Sequence, residues 1–377
     1  MQVLLVEPAY YSRYPPLGLM KIAAYHRVLA DDVRLVRGLA DIRDFKPSRI
    51  EITSLFTYAW KPVHQAIEFY HEKFPEARIG VGGIYASLMP EDILKDHPYV
   101  NIHVGLNTEA ERYMPDYDIL KQVDRWKDWD GSILFTSRGC VNRCPFCMVP
   151  VMEGGLRNVL SDPRSHVHPE HSRVIVWDNN FLALPDWKEK MELLRQTGKY
   201  IDFNQGLDAR QMTREKAEML ASLKTKGIRM AYDGEHEKEA AHRAADLLEN
   251  AGFGRREISF YALYNFYDYE CSFYDTPDEF YRRILDIMHM GCVSYPMRFV
   301  DFHSKSKNGF VSVMWSEERL EAVAKARRVL GFGGAFPPYE GLVKKFEQAG
   351  SFDEAFRLEP KKAGETGTEV TGAVADG

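Results

Sequence analysis

The sequence lacks the long apolar run that a membrane span requires. A helix needs roughly 20 consecutive apolar residues to cross a bilayer, and no stretch of this chain approaches that length. The beginning of the chain follows the pattern of a short strand, without the basic segment, apolar stretch and small-residue cleavage site of a secretion signal. These absences predict a protein of the cytoplasm with no membrane partner.

Neither sign of charge dominates the chain. Lysine and arginine number 49 and aspartate and glutamate 55, which gives a net charge of -6 over 377 residues. This balance gives no electrostatic reason to expect nucleic-acid binding, and no basic patch interleaved with aromatic residues stands out. No Gly-x-Gly-x-x-Gly segment follows a predicted strand, which argues against a dinucleotide site. With 45% hydrophobic residues, the chain can form two domains.

Cysteine is rare, but three of the five cysteines lie together. They form the run Cys140-Val-Asn-Arg-Cys144-Pro-Phe-Cys147. Three thiolates with this spacing can hold three corners of a cubane 4Fe-4S cluster and leave the fourth iron without a protein ligand. A substrate or cofactor could bind at that open iron.

Other interpretations of the three cysteines stay open at this stage. A zinc site normally needs four protein ligands, so His166, His168 or His171 would have to supply the fourth. Disulfides require an even number of partners and an oxidising compartment, and neither is indicated. A cluster of buried thiols that binds no metal is the third alternative.

The residues before the run indicate where it lies in the fold. Ser132-Ile-Leu-Phe-Thr-Ser-Arg-Gly139 is an apolar, β-branched run that ends in Arg-Gly, which predicts a strand opening into a loop. In (β/α) barrels the active site is built at that carboxyl end of the strands. With Phe146 before the last cysteine, the segment resembles the radical S-adenosylmethionine (SAM) superfamily, whose hallmark is a Cys-x-x-x-Cys-x-x-Cys loop after the first barrel strand.

The resemblance implies a chemistry and a set of partners. It implies that Cys140, Cys144 and Cys147 hold a 4Fe-4S cluster, that SAM binds the open iron, and that reductive cleavage gives a 5′-deoxyadenosyl radical. A ferredoxin- or flavodoxin-type protein is then the expected electron donor, and the substrate stays unknown. Cys271 and Cys292 are too few to hold a second cluster. Methylthiotransferases of similar domain order carry three further cysteines near the N-terminus, and this chain has none there. Cys271, in a loop rich in tyrosine and aspartate, could face the substrate.

The first part of the chain alternates short strands with helices. Strands are predicted at residues 3–6, 33–36, 50–56, 78–81 and 101–104, with a first helix at 16–29, which indicates an open parallel α/β sheet. Pro15-Pro-Leu-Gly18 and Gly82-Gly-Ile-Tyr-Ala-Ser87 resemble loops of the cobalamin-binding domain in one class of radical SAM proteins. That class commonly has Gly-Glu-Gly-Glu at the end of the next strand, and residues 105–111 of this chain differ from it. The Asp-x-His-x-x-Gly loop that supplies an axial histidine in other cobalamin proteins is also absent from this sequence. The resemblance implies cobalamin as a further cofactor, and the alternative is a domain kept for packing or substrate capture.

Six strand-helix units are predicted after the connector. Their strands are residues 132–139, 173–177, 200–204, 228–232, 258–264 and 293–300. The expected fold class is α/β, a Rossmann-like, cobalamin-binding-like open sheet followed by a partial (β/α)6 TIM-type barrel. The predicted divisions are 1–115 for the first domain, 116–130 for the connector, 131–305 for the barrel, 306–359 for a helical extension and 360–377 for a disordered tail. Residues 331–338 are predicted to be a flexible break in that extension.

Polar residues that end the predicted barrel strands are the remaining site candidates. The resemblance places Asp178, Asn179 and Asn180 near the SAM methionine amine, and Tyr264 and Asn265 near the adenine. Phe146, Asn204 and Gln205 complete the predicted cofactor-binding set, although each such residue could instead be a helix cap or a solvated loop residue.

Three functions follow from these observations. The first is a radical SAM enzyme that uses cobalamin, for methylation of an unactivated carbon. The second is a radical SAM oxidation, rearrangement or elimination with a purely structural N-terminal domain. The third is a non-catalytic zinc or iron-sulfur protein.

Overall fold

The chain forms two units, each built on parallel β-strands. The computed structural model describes residues 1–270 and 273–358. Cys271 and the tail predicted at 360–377 therefore lie outside the described residues. In the part of the chain that is described, no helix combines the length and the apolar character needed to cross a membrane.

The N-terminal unit is a five-stranded parallel sheet with the strand order β2-β1-β3-β4-β5. Its strands are β1 (Gln2–Glu7), β2 (Asp32–Arg37), β3 (Arg49–Ser54), β4 (Arg78–Gly83) and β5 (Asn101–Ile102). Its helices are α1 (Leu17–Val28), α2 (Trp60–Lys73), α3 (Ile84–Leu88) and α4 (Pro90–Asp96). The open parallel sheet predicted from the strand-helix alternation is confirmed, with a shorter fifth strand.

Strand β1 lies between β2 and β3, and both of its faces are buried. Leu4 and Val6 pack in one core cluster with residues of α2, while Val3 and Leu5 pack in another with residues of α1. Burial on both faces explains why β1 is an unbroken apolar run and not an alternating one.

The segment predicted to be a polar connector packs onto this sheet. Tyr117, Leu120 and Trp126 are at most 6% exposed and join the core cluster that covers β1 and β2. The backbone N–H of Leu35 donates to Oε1 of Gln122 at 2.8 Å. The apolar residues of this segment are separated by charged ones, which is why composition alone indicated a polar connector.

The second unit contains two parallel sheets of three strands, with orders β6-β9-β10 and β11-β12-β15. A parallel bridge between Leu207 and Met230 joins the two sheets. The parallel strands are β6 (Ser132–Leu134), β9 (Arg173–Val176), β10 (Tyr200–Phe203), β11 (Ile228–Ala231), β12 (Ile258–Tyr264) and β15 (Val293–Arg298). Two short antiparallel pairs are β7 (Ser137–Arg138) with β8 (Arg157–Asn158), and β13 (Tyr267–Asp268) with β14 (Phe273–Tyr274).

Helices cover the outer face of these strands. They are α6 (Trp187–Gln196), α7 (Arg214–Ala221), α8 (Lys238–Asn250) and α9 (Pro277–His289), whereas the short α5 (Val149–Met152) lies just after the three cysteines. Helix α9 begins with a capping box, in which the Thr276 hydroxyl and the Glu279 carboxylate each accept a backbone N–H of the other residue. Alternate strand residues such as Val174 and Ile201 face the helices and form the core with Met191 and Leu194.

A buried ion pair joins α9 to the end of β12. Nη2 of Arg283 donates to the carbonyl of Leu263 at 2.7 Å and to the carboxylate of Asp275. Burial raises the pKa of Asp275 to about 6, although the Arg283 charge opposes this. Since an unfolded aspartate has a pKa of about 3.9, the folded state binds more protons between these two values.

We expect this aspartate to give the protein a pH-dependent stability. The contribution of Asp275 to the free energy of unfolding is fully present below about pH 3.9 and is lost as the pH rises through about 6, because burying the ionised carboxylate costs free energy. Relative to Asp275→Asn, the free energy of unfolding of the wild type should fall by about 3 kcal/mol across that window. Denaturant titrations of both proteins at several pH values measure this difference, and parallel pH profiles would contradict it.

The C-terminal helices are α10 (Glu317–Val329), α11 (Glu340–Gln348) and α12 (Phe352–Ala355). Residues 331–338, predicted to be a flexible break, separate α10 from α11, and the end of this segment is anchored to β15. Phe336 is fully buried and forms two backbone hydrogen bonds with Ser294 of β15, at 3.0 and 2.7 Å. An edge strand presents unpaired backbone groups, and this segment satisfies some of those of β15.

Candidate metal centre

The cysteine run lies beyond the carboxyl end of β6, in a loop tied to the segment after α5. The N–H of Cys140 donates to the carbonyl of Gly154 at 3.3 Å, and Cys140 forms a parallel bridge with Gly155. Gly139 has φ +76°, and a Cβ there would lie 2.2 Å from the Gly155 oxygen. Only glycine fits this conformation and this close contact, which explains the Arg-Gly lead-in.

The three thiols share one cavity of about 480 Å³. It is lined by Cys140, Arg143, Cys144, Pro145, Cys147, Pro150, Val151, Gly154 and Gly155. Among these lining residues there is no histidine, aspartate or glutamate to act as a fourth ligand. Three thiols around a space of this size fit a cluster that keeps one iron free of protein ligands.

Burial holds two of these thiols in their protonated form. It raises the pKa of Cys144 to about 11, against the opposing charge of Arg210, and it also raises the pKa of Cys147. A coordinated thiol is deprotonated by the metal itself, so metal binding here would release protons.

A single metal ion fits the site less well than a cluster. Within the described ranges, no three His, Cys, Asp or Glu side chains converge on one ion. The ligands of a cubane each bind a different iron, so they are spread around the cluster and do not meet at one point.

Two of the three histidines considered for zinc lie at the other end of the strand. Nδ1 of His171 and the N–H of His168 contact the Ser132 hydroxyl, both at 2.9 Å. Ser132 begins β6, whereas the cysteines follow its carboxyl end. His168 and His171 are therefore not placed to complete a zinc site with the three thiols.

A group of amides and a carboxylate borders Cys140. Nδ2 of Asn180 lies 3.6 Å from the Cys140 sulfur and donates to Oδ2 of Asp208 at 2.9 Å. Nδ2 of Asn142 donates to the same oxygen at 2.8 Å, and Arg210 pairs with Asp208 through two nitrogens. Asn180, one of the residues predicted to bind cofactor, is thus placed directly beside Cys140.

Asp178 instead holds the chain that leads into the loop. It is 3% exposed, and its carboxylate accepts hydrogen bonds from the N–H and hydroxyl of Thr136 and from the hydroxyl of Ser137. These bonds explain why the predicted strand 132–139 divides into β6 and β7, since Thr136 bonds to a side chain in place of a neighbouring strand.

We expect Asp178→Ala to lower the free energy of unfolding by about 3 kcal/mol, because buried donors of Thr136 and Ser137 lose their acceptor. Chemical denaturation of the apo protein measures the loss. Asp118→Ala is the matched control, since this exposed carboxylate pairs with Lys121 at the surface and its loss should cost less than about 1 kcal/mol. Equal losses in the two variants would contradict the structural role of Asp178.

The other predicted cofactor residues are more widely spread. Asn179 donates to Glu153 at 2.9 Å, and Asn204 donates to the Tyr14 hydroxyl at 2.6 Å.

Gln205 is exposed, and Tyr264 is buried against Phe280 and Trp315. Asn265 is fully buried with φ 68° and binds Phe310 and Ser312. Phe146 packs near Phe266 and Phe273 and lines a second cavity of about 450 Å³ beside the first.

Two carboxylates beside the loop were missed in the sequence. Glu153 accepts from the N–H of Gly139 at 2.8 Å and pairs with Arg138, which in turn pairs with Glu111 of the segment between the two units. The residues next to Glu153 and Glu111 in the sequence do not indicate these ion pairs, because the contacts join residues that are far apart along the chain.

The chain is similar to known proteins over part of its length. No family model matches the chain. It is 32% identical over 104 residues to a tRNA-2-methylthio-N(6)-dimethylallyladenosine synthase of Delftia acidovorans, which covers 23% of this chain and 24% of that protein. A protein of the same name from Nitratiruptor is 33% identical over 115 residues, or 25% and 26% of the two chains. The matches thus span about a quarter of these relatives.

The similarity of fold extends over much more of the chain. The radical S-adenosylmethionine methyltransferase TsrM from Kitasatospora setae, solved with tryptophan substrate and a SAM analogue bound, superposes with a TM-score of 0.59 at 13% identity. The match covers 87% of this chain and 77% of that one. The chain therefore has a mixed α/β fold with parallel sheets, similar to that of a radical SAM methyltransferase.

Proposed function

We propose that this protein is a radical SAM enzyme that holds a 4Fe-4S cluster on Cys140, Cys144 and Cys147. The observation that carries the proposal is the single cavity onto which all three thiols open, without a fourth protein ligand among its lining residues. The cluster, when bound, supplies the electron for reductive cleavage of SAM to a 5′-deoxyadenosyl radical.

The residues of this chain would position the reactants and exclude water. Asn180 and Asn142, both bonded to Asp208, form the polar wall beside Cys140. Phe146 and Phe273 give the neighbouring cavity an apolar side, and Arg210 and Glu237 give it a charged one. We propose that the six parallel strands close into a partial barrel around these groups, with the Leu207–Met230 bridge joining its halves.

Anaerobic reconstitution tests the proposal. The protein should take up about four irons with matching sulfide, and with a ferredoxin- or flavodoxin-type donor it should convert SAM to 5′-deoxyadenosine and methionine. A protein that takes up zinc in preference to iron, or one whose reduced cluster leaves SAM intact, would favour a non-catalytic metal protein instead.

Cobalamin-dependent methylation is the finer form of the proposal. Tyr14 follows the carboxyl end of β1 and accepts from Asn204, which follows the carboxyl end of β10. Thr57, after β3, donates to the carbonyl of Ser304, after β15, at 2.8 Å. The carboxyl edges of both units thus meet, and in open parallel sheets this edge binds ligands. A corrinoid held there would lie between the N-terminal sheet and the cluster.

Reconstitution with hydroxocobalamin distinguishes the two forms. Retention of about one corrinoid per chain after gel filtration, and transfer of a deuterated methyl group from SAM, would support methylation. Formation of 5′-deoxyadenosine by a protein that retains no corrinoid would favour oxidation, rearrangement or elimination, with a structural N-terminal domain.

A further inference from the structure

Four charged side chains form a continuous chain from the N-terminal unit to the cysteine loop. Nζ of Lys21, on α1, lies 2.9 Å from Oε2 of Glu111, and Nη2 of Arg138 lies 2.8 Å from the same oxygen. Nη1 of Arg138 then lies 3.0 Å from Oε1 of Glu153. We call this set of four residues the charge chain.

The charge chain is balanced and largely shielded from water. The side chains of Lys21 and Arg138 are 5% and 7% exposed, and those of Glu111 and Glu153 are 23% and 14% exposed. Burial alone would raise the pKa of Glu111, but the charges of Arg138 and Lys21 outweigh it and keep the pKa below its usual value. Two cations thus neutralise two anions where water screens them little.

The last member of the charge chain acts directly on the loop. Oε2 of Glu153 accepts the N–H of Gly139 at 2.8 Å and the amide of Asn179 at 2.9 Å. The adjacent Cys140 is bonded to Gly154, the residue after Glu153. The orientation of Glu153 therefore fixes the backbone from which the first cysteine projects.

We propose that Glu111, acting through Arg138 and Glu153, is a positioning residue that couples the N-terminal unit to the geometry of the cysteine loop. This inference rests on the proposed function for its role in catalysis, but the coupling is a property of the apo protein as well. Through Glu111, the segment 105–111, which precedes the second unit, thereby sets how firmly the loop with the three thiols is held.

Glu111→Gln tests the coupling, since it removes the charge and keeps the shape. Lys21 and Arg138 then lie close together with a single anion, Glu153, so the pairing that holds the loop is weakened. In apo protein, backbone hydrogen exchange of the peptide 138–155 should become about tenfold faster, while exchange of the β1 core stays unchanged. After reconstitution, less iron should be retained and the electron paramagnetic resonance signal of the reduced cluster should change.

The double variant Lys21→Met with Glu111→Gln is the rescue. It restores neutrality, because Arg138 and Glu153 remain as one pair, so loop exchange and iron retention should recover towards wild-type values. Lys305→Met is the matched control: it breaks another ion pair between the two units, with Asp92 at 2.8 Å, and should leave the loop unchanged.

The outcomes separate this proposal from the proposed function. Wild-type loop exchange in Glu111→Gln, or loop exchange as fast in Lys305→Met as in Glu111→Gln, would overturn the coupling even if the cluster binds. A wild type that takes up no cluster would refute the proposed function, and hydrogen exchange would still decide the coupling. If Glu111→Gln does not fold, the double variant decides: wild-type loop exchange supports charge balance as the cause, and fast exchange contradicts it.

Discussion

Cys144→Ala is expected to abolish both cluster assembly and SAM cleavage. The side chain lines the shared cavity with Cys140 and Cys147, and no His, Asp or Glu lines that cavity to replace it. A cubane left with two thiolates loses much of its binding free energy and becomes open to solvent. Iron content should fall from about four per chain towards zero, and 5′-deoxyadenosine formation should fall to the rate without enzyme.

Cys292→Ala provides the matched control for this loss. Cys292 is a fully buried thiol in the core of the second unit that bonds weakly to the Met290 carbonyl, and it does not line the cysteine cavity. This variant should keep its iron and its activity. Full iron content and SAM cleavage in Cys144→Ala would show that the cluster is held elsewhere or is absent from the mechanism.

Arg283→Met is expected to cause the largest loss of stability among single substitutions of a charged residue. The side chains of Arg283 and Asp275 are 4% and 1% exposed, so the ion pair is almost dry. Removing the arginine leaves a buried carboxylate without its counter-ion and the Leu263 carbonyl without a donor. We expect the free energy of unfolding at neutral pH to fall by about 3–5 kcal/mol.

Urea titration of the apo protein measures this loss. Arg319→Met is the matched control, because Arg319 pairs with Asp353 at 2.8 Å while both side chains are about half exposed. Its effect should stay below about 1 kcal/mol. Similar midpoints for the two variants would show that the Arg283 pair contributes no more than a surface ion pair.

The local features of the sequence were sufficient where short-range chemistry decides the structure. The apolar run of β1 predicted a parallel strand, and α9 starts at Thr276-Pro-Asp-Glu279, whose capping box is formed within one turn. The spacing of the three cysteines predicted that their thiols share one site, because a loop of eight residues cannot carry them far apart.

Sequence reasoning failed where long-range packing decides. Trp126 and Phe336 lie in segments predicted to be a polar connector and a flexible break, yet both are buried against strands that are distant in sequence. Asp178 was predicted to face the cofactor, and its position beneath the loop lead-in follows from bonds to Thr136 and Ser137 that the strand pattern does not indicate. Its role towards SAM stays a prediction.

The sequence by itself determined that three thiols would sit beyond the end of a strand, in a chain with too few other cysteines for a second cluster. Only the tertiary structure decided what surrounds and holds that site. Lys21, Glu111, Arg138 and Glu153 are up to 132 residues apart in the sequence, and they meet only because the two units pack with the carboxyl edges of their strands together. Charge pairing acts through space at a few ångströms, so its partners cannot be deduced from spacing along the chain.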